Sequence, residues 1–105
     1  MRILFDQGVP VPLRTYLSPH EITTAYERGW STLRNGDLLT AAEKEGFDVF
    51  ITTDQNLRFE QNMSERSIAV LILSTTNWPR IKAAAESVVI ALESVRTGFD
   101  VIDIP

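Results

Sequence analysis

Nine residues near the middle of the chain, Asp48 to Asn56 (DVFITTDQN), restrict its fold more than any other stretch. Val49, Phe50, Ile51 and Thr52 are β-branched or aromatic, the composition of a strand buried on both faces of a parallel sheet. Gly46 just ahead suits the left-handed residue that closes a helix. Asp54 then falls where the apolar run gives way to Gln55 and Asn56. In an open α/β sheet that place is the carboxyl edge, where ligands bind.

The flanking segments extend the pattern in both directions. Arg2 to Phe5 reads as a first strand closed by Asp6, Gln7 and Gly8, and Pro10 and Pro12 open a helix carrying Leu13, Tyr16 and Leu17. Ser18-Pro19 stops it, and Glu21 to Ala25 is a second, weaker strand. Tyr26 to Arg34 lacks periodicity and reads as a loop. Asn35 serves as N-cap of a helix with Leu38, Leu39 and Ala42 on its apolar stripe. After the organising strand, Leu57 to Arg66 forms a short helix or turn, and the apolar run Ile68 to Leu73 (IAVLIL) is a central strand. Pro79 opens a last helix, predicted to hold one face from Ile81 through Ala84, Ala85, Val88 and Leu92 to Val95 and to end at Gly98. Val101 to Ile104 is the final strand, with Asp103 marking an edge. Strands alternating with helices give one three-layer α/β domain over residues 1–105 with a mostly parallel five-stranded sheet. Periodicity leaves the strand order open.

Composition removes whole classes of chemistry. The absence of cysteine excludes a thiolate metal site and a cysteine nucleophile, and a single histidine, His20, argues against a histidine-based zinc site. There is no G-x-S-x-G elbow, no G-x-G-x-x-G and no P-loop sequence. The net charge of −4 argues against a general, salt-driven grip on nucleic acid, while leaving room for a basic rim around one cleft. No apolar run approaches the roughly 20 residues of a membrane span and no signal-peptide pattern opens the chain, so a cytoplasmic protein is expected. Trp30 and Trp78 read as packing residues.

The acids carry the functional expectation. In βαβ units, strands end and helices begin on the same edge of the sheet. Asp6 and Asp54 close strands, Asp37 lies in the first turn of a helix, and Thr75 follows the fourth strand. Two or three carboxylates with a hydroxyl form a hard-oxygen set suited to Mg²⁺ or Mn²⁺. Each acid also has a plainer role: Asp37 complements a helix dipole, and Asp6 and Asp54 can cap turns. Arg34 and Arg58 flank the acidic loops and are candidates to hold phosphate oxygens.

Four segments, ILFDQ, HEITTAYERGW, NGDLLTAAEKEGFD and above all VFITTDQNL, resemble small PIN-like proteins of the group related to the ribonucleases of toxin–antitoxin pairs. The likeness runs from the first strand to about Asn62 and continues faintly to Pro105. It implies a Rossmann-like α/β/α domain whose strand-end acids bind Mg²⁺ or Mn²⁺ and cut RNA, with an antitoxin-like protein or a second copy as partner and no membrane. By this resemblance Asp6 and Asp54 are metal ligands and Asp37 orients or activates water, with Gln7, Asn56 and Thr75 in supporting hydrogen bonds. Gln7 and Asn56 stand where such relatives often carry further acids. A two-ion centre needs enough carboxylate to hold ions roughly 4 Å apart, so one weakly held ion is expected. Two readings follow: a metal-dependent endoribonuclease, or a PIN-like module that binds RNA or protein with little or no catalysis. A phospho-accepting receiver domain is rejected, because Gln7 replaces its second acid and no lysine follows the last strand.

Overall fold

β-branched, aromatic and leucine side chains predominate in every strand of the sheet. The computed structural model describes residues 1–105, the side chain of Glu65 excepted. The strands are β1 (Arg2–Phe5), β2 (Glu21–Thr24), β3 (Val49–Thr52), β4 (Ala69–Leu73) and β5 (Gly98–Ile102), in the order β2-β1-β3-β4-β5. All neighbouring pairs are parallel. β3 and β4, buried along their whole length, lie inside the sheet, whereas β2 and β5 form its edges and carry the exposed Glu21, Asp100 and Val101. That is the difference expected between doubly covered and edge strands.

Helices cover both faces. A 3₁₀ segment (Val11–Leu17) and the helices α3 (Trp78–Ala83) and α4 (Ala85–Glu93) pack on one face over Phe5, Ile51 and Leu71. Helices α1 (Asn35–Lys44) and α2 (Leu57–Glu60), with a 3₁₀ turn at Met63–Glu65, cover the other over Leu4, Phe50 and Val70. Odd-numbered residues of β1, β3 and β4 thus face α4 and even-numbered ones face α1, which is the period-two alternation of a strand.

The strand order places a topological switch between β1 and β3. The chain leaves β1 for β2 on one side and returns through α1 to β3 on the other. Ligands of open α/β sheets lie in the crevice such a reversal opens. The last crossover is unusual. β3 to β4 and β4 to β5 step in the same direction, but the first passes over the α1 face and the second over the α4 face. The two units therefore have opposite hands. The steps from β1 to β2, β2 to β3 and β3 to β4 agree with one another, which leaves β4 to β5 as the exception to the right-handed rule. One result is that α4 lies beside the 3₁₀ segment on a shared core of Leu13, Leu17, Val88 and Leu92.

Local corrections are few. The segment after Pro10 is 3₁₀ rather than α-helical, a form suited to short pieces, and Pro12 lies in its first turn, where a missing N–H costs no helix bond. Asn35 is the first helical residue of α1; Arg34 occupies the cap position without a side-chain bond. The helix expected from Pro79 to Gly98 is two helices that part at Ala84, and Gly98, at φ +102°, opens β5. β5 accordingly ends before Asp103. Trp30 packs edge-on against Phe47, and Trp78 against Tyr16, as packing residues do.

Candidate functional site at the carboxyl edge

The register of β1 and β3 determines how the segments that carry the two acids are joined. Phe5 pairs with Ile51, so Asp6 follows at the level of Thr52, both on the α1 face. Thr52 is fully buried. Its hydroxyl donates to Asp6 Oδ2 at 2.8 Å and accepts the Asp54 N–H at 3.1 Å. One buried hydroxyl thus ties the side chain of the first acid to the backbone of the second. Asp6 is further held through its own backbone, whose N–H donates to Ile51 O at 2.9 Å and extends the ladder by one residue.

Asp54 is fixed from two directions. Asn35, at the start of α1, donates from Nδ2 to Asp54 Oδ2 at 2.7 Å, and the Asn56 N–H donates to Oδ1 at 3.0 Å. The second contact closes a turn around the carboxylate, so Asp54 also has the plain role of capping its own loop. Asp6 does likewise, its Oδ1 accepting the Gln7 N–H at 2.8 Å. Both carboxylates are half-buried and both oxygens of each already accept one bond.

The other expected residues take different positions. Gln7 turns its amide away from Asp6 to donate to Ser31 O at 2.6 Å. Asn56 supports Asp54 through its backbone N–H. Thr75 Oγ1 accepts the Asn77 N–H at 3.1 Å, closing a turn before α3. Arg34 is exposed at the entrance to α1, and the exposed Arg58 lays its guanidinium 4.7 Å from the ring centroid of Phe59. Asp37 is exposed in the first turn of α1. Among the described residues no group of three or more His, Asp or Glu side chains gathers as a metal-ligand set, so Asp37 stands outside one with Asp6 and Asp54.

Two residues that hold the acids, Thr52 and Asn35, had no functional reading in the sequence. Thr52 looked like any β-branched strand residue. The available signal was its place two residues before Asp54, on the same face of an extended chain.

Gly8 sets how closely the loops approach. A Cβ there would fall inside the contact distance of Thr53 Oγ1, so the β1 and β3 loops pack without space for a side chain. On the β2 side of Asp6 the surface opens into a cavity of about 430 Å³. Asp6, Gln7, Arg14 and Glu27 are among the residues that line it. Arg14 and Glu27 form a two-pronged ion pair, and Thr24 N–H donates to the same carboxylate at 2.9 Å. The Arg14 guanidinium, aided by that backbone donor, holds the Glu27 carboxyl below its ordinary value.

No helix is long and apolar enough to cross a membrane. No protein-family model, curated protein or solved structure matches the chain.

Proposed function

We propose that the carboxyl edge is a one-ion site for metal-dependent cleavage of RNA phosphodiesters. The observation that carries this reading is the junction at Thr52, which holds the Asp6 carboxylate and the Asp54 backbone on one hydroxyl at the switch between β1 and β3. The donor set fits a single Mg²⁺ or Mn²⁺. Such an ion takes one or two carboxylates and keeps several waters, and each oxygen of Asp6 and Asp54 has a lone pair left after its bond to the chain. Two ions would leave their charge under-neutralised. When bound, the ion supplies charge stabilisation at the phosphate and acidifies a bound water.

The chain's residues do the positioning. Thr52 fixes the direction of the Asp6 carboxylate, and Asn35 with the Asn56 amide fixes that of Asp54. Arg34 and Arg58, exposed on segments next to Asn35 and Asn56, take phosphate oxygens as they approach. Asp37 is the remaining acid of this edge for orienting water.

A second reading, a module that binds RNA or a protein without turnover, is favoured by one observation: the third acid does not join the pair. Mn²⁺ titration separates the two. For the one-ion site, Mn²⁺ raises the melting temperature of the wild type and not of Asp54→Asn, and cleavage of a fluorescent single-stranded RNA depends on the ion. Equal shifts in both proteins, with no cleavage, remove Asp54 from an ion site and leave the binding module.

A further inference from the structure

We propose that Asn35 is a self-modifying position: the chain converts its side-chain amide into a carboxylate and so places a third acid beside Asp54. The conversion is independent of the cleavage reading; only its effect on ion binding rests on that reading.

The sequence carries the first argument. Asn56, Asn62 and Asn77 are followed by Leu57, Met63 and Trp78, whereas Asn35 is followed by Gly36. A backbone amide nitrogen can attack the side-chain carbonyl carbon of an asparagine just before it, and a side chain on the attacking residue hinders the approach. Glycine has none. In this step Gly36 N bonds to Asn35 Cγ and gives up its proton, and Nδ2 leaves as ammonia. Water then opens the cyclic imide, giving aspartate or the isomer whose main chain runs through Cγ. No oxidant, reductant or cofactor takes part.

The structure carries the second. Asn35 and Gly36 are the first two residues of α1, where the N–H groups precede the helical ladder. That ladder opens with the Leu38 N–H donating to Arg34 O at 2.7 Å. The attacking nitrogen therefore loses no helical bond when it turns towards Asn35. Asn62 and Asn77 commit their side-chain oxygens to the N–H groups of Ser64 and Arg80, whereas Asn35 bonds through its nitrogen, to Asp54 Oδ2 at 2.7 Å. Asn35 is only half-buried, so water reaches the imide.

The consequence falls on Asp54. The nitrogen that leaves is the donor to its Oδ2, and the product sets a negative charge in the place of that donor. Without a cation the two carboxylates repel, and a divalent ion relieves the repulsion. Conversion thus turns a two-acid edge into a three-acid one as the chain ages.

The test incubates the full chain, folded, in mildly alkaline metal-free buffer beside the same chain in urea. Ion exchange, peptide mass analysis and labelling by an isoaspartyl methyltransferase follow the products. The folded wild type should accumulate a more acidic species that maps to Asn35. Gly36→Ala, whose added Cβ would meet only the end of the Gln61 side chain at 3.4 Å, should accumulate none over the same interval. The juxtaposition is read without metal: Asn35→Asp should lower the urea midpoint further than Asn35→Ala, and Asp54→Asn should remove that difference. The proposal is overturned if the folded wild type keeps Asn35 while the chain in urea converts, if Gly36→Ala converts equally fast, or if Asn35→Asp is no less stable than Asn35→Ala. On the one-ion reading Mn²⁺ should raise the melting temperature of Asn35→Asp more than that of the wild type. No rise in either protein removes the ion reading and leaves the modification standing on the metal-free results.

Discussion

Thr52→Val removes one oxygen from the centre of the carboxyl edge and preserves the shape of the side chain. Two bonds go with it: a charge-assisted one to Asp6 Oδ2 at 2.8 Å and a neutral one from the Asp54 N–H at 3.1 Å. Bonds to charged groups contribute about 1.5–3 kcal/mol and neutral ones about 0.5–1.5. Asp6 is only half-buried, so water recovers part of the first loss, and the added methyl returns some apolar contact. A net cost of about 2 kcal/mol follows, a substantial share of the roughly 5–15 kcal/mol that holds a domain folded. For a chain of this size that lowers the melting temperature by about 8–16 °C.

Urea unfolding checks the magnitude, because an unchanged slope with a shifted midpoint reports stability alone. Thr52→Ser is the control: it keeps the hydroxyl and loses one buried methyl, worth about 0.8 kcal/mol. A cycle with Asp6→Ala isolates the pair and should give a coupling of at least about 1 kcal/mol. The proposed ion site adds a second readout. Groups that orient a ligand typically alter metal affinity by about 10–100-fold, so Thr52→Val should also reduce the Mn²⁺-dependent rise in melting temperature. If Thr52→Val lies within about 0.5 kcal/mol of wild type, or if Thr52→Ser costs as much, the hydroxyl does not join the acids and the reasoning fails.

Three further outcomes are expected. Asn35→Ala removes the 2.7 Å donor to Asp54 and should cost about 1–2 kcal/mol in urea unfolding, with a smaller Mn²⁺ shift; wild-type stability would show that Asp54 does not need it. Gly8→Ala should destabilise by about 1–3 kcal/mol through overpacking against Thr53, and Gly8→Ala with Thr53→Ala should recover most of the loss. Burial opposes the charged form of Glu43, but the Ser67 N–H and hydroxyl and the Arg66 guanidinium outweigh it and hold its folded pKa below the ordinary 4.5. Its stabilisation is therefore complete above 4.5 and lost as pH falls through the folded value, so wild-type stability should decline more steeply below about pH 5 than that of Glu43→Gln.

The sequence disclosed what depends on neighbours along the chain and concealed what depends on neighbours across it. β3 and β4 were legible because a strand buried on both faces has no polar alternation, and α1 because its apolar stripe ends at Gly46, whose φ is +78°. The break at Ala84 was not legible. The run Ala83-Ala84-Ala85 favours a helix, yet the chain turns there while Arg80 reaches the carbonyls of Ile104 and Pro105. Asn35 was legible as a polar residue opening a helix, but it stands one residue inside the cap position and its side-chain Nδ2 donates to Asp54, a partner brought in from β3 that the local sequence does not show. The cavity was hidden altogether, since Asp6, Arg14 and Glu27 come from three segments whose meeting depends on β2 lying beside β1.

The donors around the acids also bear on how tightly any ion could be held. An edge made only of acids stores repulsion, which a cation relieves on binding, and that relief adds to affinity. Here neutral groups already occupy part of each carboxylate: the Thr52 hydroxyl and the Gln7 backbone N–H on Asp6, the Asn35 side-chain amide and the Asn56 backbone N–H on Asp54. These bonds stabilise the charged acids without an ion and leave less repulsion to be released. They also keep both side chains directed before an ion arrives, which lowers the ordering cost of binding. The first effect weakens affinity and the second strengthens it. Deleting a donor discriminates between them: if relief of repulsion dominates, Asn35→Ala should bind Mn²⁺ more tightly, and if direction dominates, more weakly. Because Asn35 Nδ2 and Asp54 Oδ2 are only 2.7 Å apart and both half-buried, directional control should dominate. On the proposed one-ion reading, Asn35→Ala should therefore bind Mn²⁺ more weakly than the wild type, and tighter binding would refute directional control.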